Sequence, residues 1–195
     1  MEKPTSNTGN ITLEQRFELK TAEKIADDLL AYLGRHFVKY QICGSIRRKK
    51  PDVGDIDVVA MPKQTYEFGE ETLSDSIKKV DPHGPEEAHS MGKSGAKRFL
   101  DGELIKRFEF KGMPVDLYLA DEKTFGTLIL IRTGSKEHNI KLTTLARGKD
   151  LKLFASGKGL CEIDSDGNIV KTISINESEI LAILLGRIPS PEERG

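Results

Sequence analysis

From Leu13, apolar residues recur at helical spacing through Phe17, Ala22, Ile25, Ala26, Leu29 and Leu30 to Leu33. This stripe predicts an amphipathic helix that Thr12 caps and Gly34 ends. The period then drops to two: Val38, Tyr40 and Ile42 alternate with polar neighbours as a strand that runs into a Gly44-Ser45 turn. A loop from Lys49 to Val53 leads back to a second strand over Asp55 to Met61, which Pro62 closes. Leu73, Ile77 and Val80 restore helical spacing inside an acidic stretch, followed by a Pro/Gly/His-rich loop. Lys106 to Leu119 reads as a hairpin: Phe108 and Phe110 alternate with charge, Lys111-Gly112 turns, and Val115, Leu117 and Leu119 alternate on the return.

The composition shifts at Ala120-Asp121-Glu122-Lys123, which predicts a boundary between residues 12–120 and 121–195, with residues 1–11 as a flexible leader. Beyond it, Phe125 to Ile131 reads as a buried helix ending at Gly134. Ser135 caps another helix that stops at Gly148. Three short strands follow, with a turn at Asp166-Gly167. Asn176 and Glu179 then resemble a capping box ahead of a last helix. The pattern predicts an α/β (α+β) fold: a mixed sheet with flanking helices, joined to a smaller helical and β unit.

At 195 residues, 37% hydrophobic and 31% charged, the chain has the composition of an ordinary globular protein with room for a core. Its net charge of -1 gives no global signal for nucleic acid. The basic residues nevertheless cluster, at Arg47 to Lys50, at Lys93, Lys97 and Arg98, and at Lys106, Arg107 and Lys111. Arg47 reads as a surface or backbone-contacting charge, and the four histidines are scattered and carry no catalytic expectation. Cys43 and Cys161 lack metal-ligand spacing, and Cys43 reads as a small buried hydrophobe. Met1 to Asn10 is polar and no apolar run approaches membrane-spanning length, so an intracellular, cytoplasmic setting without a membrane partner is expected.

The chemistry concentrates in Gly44-Ser45-Ile46-Arg47-Arg48 and Gly54-Asp55-Ile56-Asp57. Asp55 and Asp57 stand two apart on a strand and leave the same face, while Ile56 and Val58 enter the core. Adjacent carboxylates repel unless a cation lies between them. Gly44-Ser45 and the arginines are the ingredients of a phosphate cradle. Asp116, out of phase with Val115 and Leu117, points away from the core as Asp55 and Asp57 do. Carboxylates converging from different strands can hold two divalent ions about 4 Å apart that clamp a phosphoryl displacement. Mg²⁺ suits such a site, because it shares its shell with water and substrate phosphates.

These motifs, with Val115-Asp116-Leu117, resemble the nucleotidyltransferase signature of the DNA polymerase X family. The resemblance continues through Arg132-Thr133-Gly134-Ser135 with Asn139 four residues on, and through Leu151-Lys152-Leu153 to the tail Ile188–Arg194, so it covers roughly residues 13–195. It implies a palm over residues 12–120 and a thumb over 121–195, in a minimal form without the lyase domain of larger members. By the resemblance, Asp55 and Asp57 bind two Mg²⁺ ions (or Mn²⁺), and Asp116 completes the catalytic-metal site. Gly44, Ser45 and Arg48 face the phosphates; Arg132, Thr133, Gly134 and Ser135 line the sugar; Asn139 reaches the base. Lys93, Lys97 and Arg98 are candidates for DNA phosphates. Pro114 departs from relatives that carry an arginine near the catalytic carboxylate. The implied activity is gap-filling addition of a dNTP to a primer 3′-end in DNA repair, by a monomer. The rival expectations are template-independent transfer to a nucleic-acid end or small molecule, and a non-catalytic DNA-end binding module.

Overall fold

The structure is a computed structural model and describes residues 15–63, 70–81 and 100–195. Lys93, Lys97 and Arg98 lie outside the described residues, as do Thr12 and Leu13. A five-stranded mixed sheet dominates the first part of the chain. Its strands are β2 (Phe37–Ile42), β4 (Ile56–Pro62), β5 (Leu100–Asp101), β6 (Ile105–Phe110) and β7 (Met113–Leu119), in the order β2-β4-β7-β6-β5. β4 and β7 are parallel and the other pairings antiparallel. The fold is thus α+β with a mixed sheet, as the periodicity predicts.

Helix α1 (Leu19–Leu33) lays Ala22, Ala26, Leu29 and Leu33 on one face of this sheet, against Ile56, Val58, Phe108, Phe110, Val115 and Leu117. Each large apolar side chain buried there contributes about 1.5–3 kcal/mol. The helix starts later than its apolar stripe implies: Phe17 and Glu18 form a short strand, β1 (Phe17–Glu18), paired with β3 (Asp52–Val53). Phe17 still packs on the core, so burial set the stripe while strand pairing set the backbone. The hairpin β6–β7 turns at Lys111 and Gly112, both at positive φ (51° and 78°), which matches the right-handed strand twist. Lys106 shares the inward phase of Phe108 and is buried, its ammonium held by Asp101 and, at 3.1 Å, by Ser74 Oγ. Helix α3 (Leu73–Val80) buries Leu73 and Ile77 as its spacing predicts.

The opposite face of the sheet divides along its strands. Val59 and Tyr118 are covered there by Leu128 and Ile129 of α4 (Phe125–Thr133). One step earlier on the same strands, Asp57 and Asp116 take the equivalent places. Beyond α4, helix α5 (Lys136–Arg147), the antiparallel strands β8 (Leu151–Phe154), β9 (Gly159–Ile163) and β10 (Ile169–Ser174), and helix α6 (Glu177–Leu185) enclose a second core of Leu130, Leu142, Leu153, Leu160, Ile180 and Leu181. Asn176 caps α6 by accepting from the backbone of Ser178 and Glu179, at 2.9 and 3.2 Å. The Glu179 side chain accepts from Ser174 Oγ at 2.7 Å, so it does not return the cap. Among the described residues, no helix is long and apolar enough to cross a membrane.

Candidate active site

Asp57 on β4 and Asp116 on β7 are direct partners in the parallel register, and Asp55 immediately precedes β4. Burial, followed by the charges of Asp55 and Asp116, pushes the Asp57 carboxyl up to about 8. Asp55 is raised by burial and by Asp116, against the opposing charges of Arg16, Arg107 and Arg48. A sheet that spends its interior side chains on a core on one face has thus collected like charge on the other.

The turn before β3 supplies the counterpart. Helix α2 (Gly44–Arg47) begins where Cys43 N–H donates to the Asp57 carbonyl at 2.8 Å, so the turn is tied to the carboxylate strand. Gly44 has φ +57°, and a Cβ there would stand 2.1 Å from Asp57 Oδ2. The glycine therefore gives up its side-chain volume to the carboxylate. Ser45 Oγ and Arg48 Nε are buried and have no hydrogen-bond partner among the described residues, while Arg48 Nη1 donates to the Thr133 carbonyl. Gly134 (φ +68°) sits against that guanidinium: a Cβ would lie 3.2 Å from Arg48 Nη1. Ser135 caps α5 by accepting from His138 N–H at 3.3 Å.

Together these groups line a cavity of about 560 Å³ with Arg16, Gly44, Asp55, Asp57, Tyr118, Arg132 and Asn139. Arg132 stacks on the Tyr118 ring, 4.0 Å from its centroid, with its Nε buried and unpartnered. Asn139 donates to the Ile131 carbonyl at 2.8 Å, which leaves its Oδ1 buried and unpartnered. Ser45, Arg48, Arg132, Gly134, Ser135 and Asn139 thus line one cavity. Thr133 is not among the lining residues: it is fully buried and accepts from Arg47 Nη1 at 2.6 Å.

Asp116 also stands apart from the cavity lining. Its cross-strand partner Arg107 forks onto it, Nε to Oδ1 at 2.6 Å and Nη2 to Oδ2 at 2.7 Å, and Tyr118 Oη donates to Oδ2 at 3.2 Å. Among the described residues, no group of three or more His, Cys, Asp or Glu side chains is placed to hold a metal ion. Both oxygens of Asp116, the third acid expected at the site, are engaged by the arginine. The donor chemistry itself fits a hard divalent cation: carboxylate oxygens on neighbouring strands, with Asp55 and Asp57 raised in pKa by burial and then by the neighbouring acids.

Sequence reasoning missed Arg107, although its place follows from the hairpin: a two-residue turn at Lys111-Gly112 pairs Phe108 with Val115 and hence Arg107 with Asp116. Arg16 left a weaker signal. Its guanidinium packs on Gly54, where a Cβ would stand 2.7 Å from Nη1, and lines the cavity. Arg47 corrects the expectation of a surface charge, since it is half-buried between Thr133 and Glu177.

No family model matches the chain. The chain is similar to the DNA polymerase/3'-5' exonuclease PolX of Bacillus subtilis (strain 168), with 28% identity over 146 residues. That stretch is 73% of this chain and 23% of the relative, so the chain spans less than a quarter of the length of the protein it matches. The mixed sheet and its flanking helices are consistent with an α+β nucleotidyltransferase-like fold.

Proposed function

We propose that the protein is an X-family DNA polymerase that adds a dNTP to the 3′-end of a primer, most efficiently across short gaps. The observation that carries this reading is the set of four buried, unpartnered polar atoms around one cavity: Ser45 Oγ, Arg48 Nε, Arg132 Nε and Asn139 Oδ1. Orphaned polar atoms are costly unless a ligand satisfies them. A triphosphate held by Ser45 and Arg48, with its base at Asn139, would satisfy them.

Ser45 and Arg48 bind and orient the outer phosphates. Gly134, lacking a side chain, admits the sugar to the backbone beside Arg48. Asn139 offers its free Oδ1 to a donor on the base. The primer 3′-oxygen attacks the α-phosphorus, the α–β bridging oxygen leaves with pyrophosphate, and the hydroxyl proton passes to Asp116 Oδ or to water. Asp55, Asp57 and Asp116 would hold two Mg²⁺ ions, or Mn²⁺, which supply charge neutralisation of the triphosphate and activation of the hydroxyl when bound.

The test is a one-nucleotide-gapped duplex offered each dNTP separately with Mg²⁺, beside Asp116→Ala. Insertion of the templated base alone, lost in the variant, is the expected result. Insertion regardless of template would indicate an end transferase. No insertion by either protein would leave a DNA-binding module.

A further inference from the structure

We propose that Asn139 makes the site selective for guanine, its Oδ1 accepting a hydrogen bond from the 2-amino group of an incoming guanine nucleotide. The inference rests on the nucleotide reading of the cavity and goes beyond it in naming the base. Three observations carry it. Asn139 stands on α5 and lines the cavity. Its Nδ2 donates to the Ile131 carbonyl at 2.8 Å, which fixes the amide, since the flipped form would set oxygen against oxygen. Its Oδ1 is buried and has no hydrogen-bond partner among the described residues, so an acceptor is left for a ligand to satisfy.

The edge of the base that meets Asn139 follows from its place on the helix. Its N–H donates to the Ser135 carbonyl at 2.9 Å, so it lies one turn beyond the Gly134-Ser135 backbone that admits the sugar. The two sugars of a base pair flank the minor groove, and a group one turn from the sugar reads that edge. There adenine, thymine and cytosine present acceptors only, whereas guanine adds a donor, its 2-amino group. The amide nitrogen has one hydrogen spent on Ile131 and one left, which any base can accept at N3 or O2. That contact does not discriminate. Oδ1 does, because every base but guanine leaves it orphaned at the cost of an unsatisfied buried acceptor.

The test deletes that one amino group from the ligand. dITP is dGTP without it, and both pair with a template cytosine. Each is titrated into the protein on a one-nucleotide gap whose primer ends in a dideoxynucleotide, so that binding is read without turnover. The amino group also serves the base pair, and that share persists when Asn139 is removed. The quantity compared is therefore the dGTP-to-dITP affinity ratio of the parent against that of Asn139→Ala. The parent ratio is expected to exceed the variant ratio about fivefold to a hundredfold, the range for an orphaned buried acceptor. Asn139→Leu, of similar shape without polar atoms, is expected to match Asn139→Ala and guards against misfolding of the smaller variant. A folded variant that keeps the parent ratio would overturn the proposal. If Ser45→Ala then still weakens both nucleotides, the nucleotide reading of the cavity stands and only the role of Asn139 falls. If neither nucleotide binds the parent, or binding ignores Ser45→Ala, both fall together.

Discussion

Arg47 and Glu177, 130 residues apart, grip each other through two parallel hydrogen bonds of 2.8 Å. Glu177 also receives Arg194 Nη1 at 2.7 Å, and Arg47 reaches Thr133 at 2.6 Å. Three residues of the hub are bonded or adjacent to a residue of the candidate site. Arg47 precedes Arg48, Thr133 precedes Gly134, and the Arg194 carbonyl accepts from Ser135 N–H at 3.0 Å. The hub thus sets the width of the cavity between α2 and the start of α5. Burial acts to raise the Glu177 carboxyl, but hydrogen bonds from Arg47 and Arg194 outweigh it and hold the group below its usual range.

Glu177→Ala leaves two arginines without their shared anion, one of them, Arg194, only 4% exposed. Breaking a buried pair from one side costs about 3–5 kcal/mol. Urea unfolding is expected to show a loss in that range, with weaker dNTP binding by the folded fraction. A loss within experimental error would mean the hub is ornamental.

Gly44→Ala places a methyl group where Asp57 Oδ2 now lies and forces a side chain on to positive φ. The collision falls on a carboxylate and the turn that carries Ser45. Displacement of a reacting group by about 1 Å costs on the order of a hundredfold in rate. Gap insertion is expected to fall by about that factor while circular dichroism stays native. Full activity would show that the turn can relax freely.

The alternation of Phe108 and Phe110 with Val115 and Leu117 made the hairpin legible, and with it the outward phase of Asp116. The Ser135 cap and the Gly148 stop bounded α5 from local chemistry alone. What sequence could not disclose was pairing over distance. Phe17 satisfies a helical stripe and a strand equally until Val53 is known to lie opposite. Arg47 looks like one more charge in a basic loop, because its partner arrives from α6. The strand phases placed the acids on one face, whereas the arginine on Asp116 comes from the neighbouring strand, where it reads as one more charge alternating with Phe108.

Cys43 and Cys161 are fully buried, and burial pushes the Cys43 thiol up to about 12. Only thiolate reacts quickly with aromatic disulfides. The native protein is expected to react with neither cysteine over minutes and with both in guanidinium. A fast native reaction at either would show that its core opens readily.

Asp57 makes the free protein sensitive to alkali. Its carboxyl titrates near 8 in the folded chain against an ordinary value of 3.8, so the native state keeps a proton that the unfolded state has already released. Stability from this group is complete below the ordinary value and is lost as pH rises through the folded one. Asp57→Asn is neutral throughout. The melting temperature of the variant, minus that of the parent, is therefore expected to grow between about pH 5 and pH 9. His36 and His138, both lowered chiefly by burial, are common to the two proteins and cancel to first order in the difference. Saturating Mn²⁺ is expected to shrink the gap at the alkaline end, since an ion among the carboxylates favours their charged forms. A difference flat with pH would remove Asp57 as a proton-holding group.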